Sequence, residues 1–127
     1  MSDAAQSWAE QSQYDLETAR AMLESGRHLY VLFCCQQSVE KALKALIVRQ
    51  TGGFPPRIHN LLQLAESAGI ETSAERKRFL GELTAYYIQS RYPEEIRILG
   101  STIRREIAEE TLKKTEAEIQ WLSSRLT

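Results

Sequence analysis

The sequence predicts an all-α fold: an antiparallel four-helix up-and-down bundle with one short extra helix in its middle connection. Three observations carry this. Apolar residues recur at steps of three and four, the period of an α-helix, and no stretch alternates with the period of two that a half-buried strand needs. Gly26, Gly52-Gly53-Phe54-Pro55-Pro56, Gly69 and Pro93 interrupt that pattern where helices would end. The 127 residues, 43% hydrophobic and 26% charged, suit a single domain over 1–127 with one core.

A first helix starts at Asp3, a residue type suited to capping, and runs to about Ser25. Trp8, Ser12, Leu16, Ala19 and Leu23 form its inward stripe, with Glu17, Arg20 and Glu24 on the wet side. Gly26 supplies the stop, and the short link to the next helix makes the two an antiparallel hairpin. The second helix runs from about His28 to Thr51. Leu32, Gln36, Val39, Leu43 and Leu46 share one face, and Gln37, Glu40, Lys41 and Lys44 form a polar stripe within a turn of one another. A short third helix covers Ile58 to Ala68, with Leu61, Leu62, Leu64 and Ala65 apolar and Gly69 closing it. Thr72 or Ser73 caps a fourth helix from about Ala74 to Gln89, with Phe79, Leu80, Leu83 and Tyr87 facing in. Arg91-Tyr92-Pro93 ends it, because proline disfavours the helical conformation in the preceding residue. Residues 93–100 read as a loop or loose turn. From Ser101 a final helix carries Ala108, Leu112, Thr115, Ile119, Leu122 and Leu126 as its seam.

Composition excludes some functions. Sixteen basic against seventeen acidic residues, with a pI near 6.1, argue against a constitutive nucleic-acid binder but leave room for a local basic cleft. The apolar run from Leu29 to Cys35 is too short to span a bilayer, and the N-terminus lacks the basic-then-apolar order of a secretory signal, so a cytoplasmic location and no membrane partner are expected. Cys34 and Cys35 point about 100° apart on a helix, which disfavours a disulfide between them; they read as small, partly buried apolar residues in a reducing compartment. Neither histidine has a ligand partner at helical spacing, so neither a metal nor another cofactor is expected. There is no Gly-rich phosphate loop and no Ser/His/Asp set; Gly52-Gly53 is a turn signal.

A set of motifs adds to this reading. Trp8 is followed by Asp15-Leu16 and Ala19; then come Gln36-Gln37, Glu40-Lys41-Ala42 and Lys44-Ala45-Leu46; then Pro55 and His59-Asn60-Leu61; last, Tyr86 or Tyr87 with Arg91-Tyr92-Pro93. In this order, over nearly the whole chain, they resemble the HEPN domain family, which typically has His-Asp-Leu where His59-Asn60-Leu61 stands. The resemblance implies an antiparallel bundle, usually a homodimer, with polar residues lining a cleft between or beside the protomers. It also implies, for many bacterial and archaeal members, a neighbouring minimal nucleotidyltransferase paired with them as a toxin–antitoxin module. Several branches are metal-independent RNases with an Arg, four to six residues, then a His. A neutral imidazole there takes the 2′-hydroxyl proton of RNA while guanidinium braces the phosphate. In this sequence Arg91 is followed at those positions by Ile96, Arg97 and Ile98, and no histidine follows His59. Loss of a general base costs on the order of 10² to 10⁴ in rate.

The first reading is therefore a non-enzymatic or weakly active HEPN protein. It is a homodimeric partner of a separate nucleotidyltransferase, binding a nucleotide or RNA phosphate through Gln37, Glu40, Lys41, Lys44, His59, Arg91 and Tyr92. The alternative is a metal-independent RNase toxin with altered acid–base residues, His59 replacing the missing histidine; a third is a scaffold dimer with no ligand. Individual roles also have two readings. Arg91 either binds phosphate or pairs with Glu40; Tyr92 either stacks on a base or packs at the helix end. Lys41 and Lys44 either face phosphate or form a solvated face with a Glu40–Lys44 pair; His59 serves the ligand, caps the third helix or bonds across to the second. His28, at a helix start, reads as exposed.

Overall fold

The computed structural model describes residues 3–126, and among them every regular element is a helix. These are α1 (Asp3–Glu24), α2 (His28–Thr51), α3 (Leu61–Ser67), α4 (Ala74–Thr84), α5 (Pro93–Ser101) and α6 (Arg105–Ser124). α2 is the centre: it packs on α1, α3, α4, α5 and α6. Surrounded on most sides, it is buried almost without interruption from Val31 to Val48, which explains an apolar content too broad for a one-faced amphipathic helix. The predicted inward residues Leu32, Gln36, Val39, Leu43 and Leu46 are all buried.

α1 and α2 form the expected hairpin. Gly26, at φ 75°, makes the left-handed turn while the Arg27 N–H reaches back to the Met22 carbonyl. In mid-hairpin two buried serines clasp the helices: Ser12 Oγ donates to the Ser38 carbonyl at 2.7 Å, and Ser38 Oγ donates to the Ser12 carbonyl at 2.8 Å. Small side chains at Ala5, Ser12 and Ala19 keep this seam narrow. Asp3 is itself helical, so it is not the cap, and the residues before it lie outside those described.

The final seam holds as predicted, with Ala108, Leu112, Thr115, Ile119 and Leu122 buried and Leu126 partly so. Several helix ends differ. α3 begins at Leu61, because Asn60 caps it by accepting from the Gln63 N–H. α4 stops at Thr84, five residues before Gln89. Its last turn tightens to bonds from Ala85, Tyr86 and Tyr87 N–H to carbonyls three residues back, while the Thr84 hydroxyl is committed to the Leu80 carbonyl and the Leu61 N–H. Residues 93–100, expected as a loop, lie in α5. Pro93 occupies its first position, and the Glu95 carboxylate accepts from the Tyr92 N–H. α6 starts at Arg105, four residues later than expected. Both cysteines are free, Cys35 buried and Cys34 half-buried. No helix among the described residues is long and apolar enough to cross a membrane.

Candidate functional site

Glu40 organises the polar face of α2. Its side chain is only 5% exposed, and both carboxylate oxygens are taken. Lys44, one turn on, donates to Oε2 at 2.9 Å; Gln36 Nε2 donates to Oε1 at 3.1 Å; His59 Nδ1 sits 3.0 Å from the same oxygen. Gln36 spends its other amide hydrogen on the His59 carbonyl at 3.0 Å, and Gln37 donates to Gln36 Oε1 at 2.8 Å. The chain before α3 is thus pinned to the middle of α2 through both the backbone and the ring of His59.

A carboxylate can only accept, so His59 carries its hydrogen on Nδ1. In the neutral ring that leaves Nε2 as an acceptor. The imidazole stacks on Tyr87, with ring centres 3.7 Å apart and planes 10° from parallel, which sets the turn after α4 against the cluster. The arrangement can orient an imidazole base and hold a cation, Lys44, beside it.

The predicted site residues therefore divide. Gln37, Glu40, Lys44 and His59 share one network. Lys41 lies on the same helix but reaches α1, pairing with Asp15 at 2.6 Å in a partly buried bridge that ties the hairpin together. Arg91 does not pair with Glu40, one of the two roles open to it from sequence. Its guanidinium donates to the Ala85 carbonyl at 3.0 Å and lies 3.6 Å from Glu95, so it is held within its own corner while Glu40 is surrounded by nearer donors. Tyr92 is exposed, without core packing. The Glu40–Lys44 pair exists but is buried, not a solvated surface pair. His59 bonds across to α2; the cap of α3 is Asn60. His28 is half-buried rather than exposed, and its Nε2 is enclosed without a hydrogen-bond partner.

Beyond Lys44 the cluster opens into a hollow of about 380 Å³ lined by Trp8, Lys44, Phe54, Pro55, Pro56 and Arg57. The Lys44 ammonium is 5.5 Å from the Trp8 ring centre. From sequence Trp8 belongs to the core stripe, and Arg57 is not singled out. The only signal for Arg57 is a cation directly after a rigid diproline. A larger hollow of about 540 Å³, between α4 and α6, contains none of the predicted site residues. Its Arg76 is committed to both oxygens of Glu118, at 3.1 and 2.9 Å, and stacks 3.7 Å from the centre of Trp121. Among the described residues no group of histidine, cysteine, aspartate and glutamate is arranged to hold a metal ion.

Comparison with known proteins gives a consistent picture. The family model described as HEPN domain matches residues 5–125. The fold resembles the crystal structure of TT1696 from Thermus thermophilus, with a TM-score of 0.82 and 25% identity, over 98% of this chain and 100% of that one. It also resembles ST0689, an archaeal HEPN homologue, with a TM-score of 0.77 and 21% identity, over 97% and 98% of the two chains. No curated protein matches the chain at a significant level.

Proposed function

The chain belongs to the HEPN domain family, and from that premise we propose that it is a homodimeric protein that binds a nucleotide or RNA phosphate and partners a separate minimal nucleotidyltransferase in a toxin–antitoxin-like module. The observation that supports the binding part is the network on α2, in which Lys44, Gln37 and His59 gather around Glu40 and Lys44 also lines a hollow. The Lys44 ammonium at such an edge is suited to a phosphate oxygen, and His59 Nε2, an acceptor in the neutral ring, to a ribose hydroxyl. Glu40 positions the other groups rather than touching the anion. Arg91, Tyr92 and Lys41 are secondary, because none of them joins this network: Arg91 is held by Ala85 and Glu95, Lys41 pairs with Asp15 on α1, and Tyr92 projects from the surface.

The test is equilibrium binding of labelled nucleotides and short RNAs to the natural chain and to His59→Ala and Arg91→Ala. Weaker binding by His59→Ala, with a smaller loss for Arg91→Ala, is expected. Negligible binding by all three defeats the ligand reading. Light scattering checks the dimer, and a strict monomer at high micromolar concentration overturns it.

One observation favours the second reading, a metal-independent RNase. Glu40 holds His59 as a positioned imidazole, so Nε2 is set to take a 2′-hydroxyl proton while Glu40 stabilises the resulting imidazolium. Expression in cells discriminates: degraded bulk RNA that is restored by His59→Ala supports a nuclease, and intact RNA with normal growth removes it.

A further inference from the structure

Resting on the reading that the α2 cluster serves a nucleotide phosphate, we propose that the hollow between Trp8 and Arg57 is a site for a single nucleotide bearing one phosphate, either free or at the end of an RNA. Size is the first argument. At about 380 Å³ the hollow is at the small end of ligand sites, large enough for one nucleotide and too small for several.

Aromatic surface is the second. Phe54 is fully exposed, at 102% of its reference area, although it follows a largely buried helix. Gly52, at φ 72°, turns the chain out of α2, and Pro55-Pro56 stiffens the return, so Phe54 is held away from the core beside the hollow. Trp8, half-buried on α1, supplies a second ring. Nucleobases stack on such rings without needing a sequence-specific contact.

Charge is the third. The Lys44 ammonium is already matched by Glu40, whereas Arg57 has no hydrogen bond or ion pair among the described residues. The lining thus offers one uncompensated positive charge, on a guanidinium whose fork matches two phosphate oxygens. One phosphate balances it. A triphosphate would bring surplus negative charge close to Glu40.

The experiment uses the full chain carrying Trp121→Phe, which leaves Trp8 as its single indole. It is titrated with nucleoside monophosphates, ribose 5-phosphate, ATP and a 5′-phosphorylated tetranucleotide, following Trp8 fluorescence. Calorimetry on the natural chain repeats each titration, because Trp121 packs between Arg76 and Arg125. Monophosphates are expected to quench Trp8 and to bind at least about tenfold more tightly than ribose 5-phosphate or ATP. Arg57→Ala should weaken them by about tenfold and Phe54→Ala by several-fold; both positions are exposed, so neither change threatens the fold. Tighter binding of the tetranucleotide than of the free monophosphate identifies an RNA end as the source, and the reverse identifies free nucleotide. If Arg57→Ala and Phe54→Ala bind as the parent does while His59→Ala does not, the hollow is not the site, although the cluster still binds nucleotide. If no nucleotide binds any form, or an acidic peptide binds in its place, the proposal and the reading beneath it both fall.

Discussion

Glu40 and Lys44 are a carboxylate and an ammonium that are almost fully enclosed, with side chains 5% and 7% exposed. Removing one member of such a pair leaves the other desolvated and unmatched, at a typical cost of about 3–5 kcal/mol. Glu40→Leu should lower stability by that order, and adding Lys44→Met should recover much of the loss, because a buried pair replaced by apolar groups is often near neutral. Denaturant midpoints check this; a double variant no more stable than the single one shows that the two charges are not coupled. The neighbouring thiols give a pH prediction. Burial pushes Cys34 from the ordinary 9.0 up to about 11, with Asp15 raising it further and Lys41 opposing. Burial pushes Cys35 to about 12, partly offset by its hydrogen bond with Thr115. Well below pH 9 both thiols stay protonated whether folded or unfolded and contribute no pH dependence. Above it the unfolded chain loses these protons first, so stability should fall as pH rises from 9 towards 12. A Cys34→Ala/Cys35→Ala variant should show a shallower fall in thermal midpoint over that window. An equal fall in both proteins would mean that the thiols remain exposed to solvent.

Helices show which features a sequence states openly. Where a helix buries a face its interior is legible, because burial imposes the period: the α2 and α6 stripes fall where the spacing puts them, whereas α5 buries no residue and reads as a loop. Ends are less so, because they depend on competing local bonds. Arg91-Tyr92-Pro93 reads as a stop for α4, yet Pro93 is the first residue of α5 and Glu95 supplies a carboxylate that accepts from the Tyr92 N–H. The polar stripe of Gln37, Glu40 and Lys44 is visible from spacing alone, whereas the link from His59 to Glu40 crosses nineteen residues and stands in the sequence only as one option among several. Arg57 carries no periodic signal at all. The serine clasp of the α1–α2 hairpin is the prediction at this scale. Ser12→Ala removes one hydroxyl donor to the Ser38 carbonyl but leaves Ser38 bonded to the backbone of residue 12. It should cost only about 1 kcal/mol. Ser12→Leu must force the helices apart and should cost about 1–3 kcal/mol or more. Equal costs for the two would show that the clasp, not the narrow seam, sets the fit between these helices.

Charge distribution over the whole molecule limits how it can meet RNA. Net charge is −1, and many cations are matched within the fold: Arg97 by Glu94, Arg105 by Glu109, Lys114 by Glu110, Arg20 by Glu116 and Arg76 by Glu118. A protein that tracks a long phosphate backbone releases one condensed counterion set per contact, and with six to ten contacts loses about 10³–10⁵ in affinity between 50 and 200 mM salt. A site built around Arg57 makes about one such contact. With a slope near −0.7 per phosphate on a single strand, the same fourfold change in salt should weaken binding only about threefold. Titrating the tetranucleotide at several salt concentrations measures that slope directly. Arg57→Ala should flatten it further, because the one released counterion belongs to that guanidinium. A loss of a hundredfold or more across this range would require a chain of phosphate contacts along the surface, and the ligand would then be an extended RNA rather than one nucleotide.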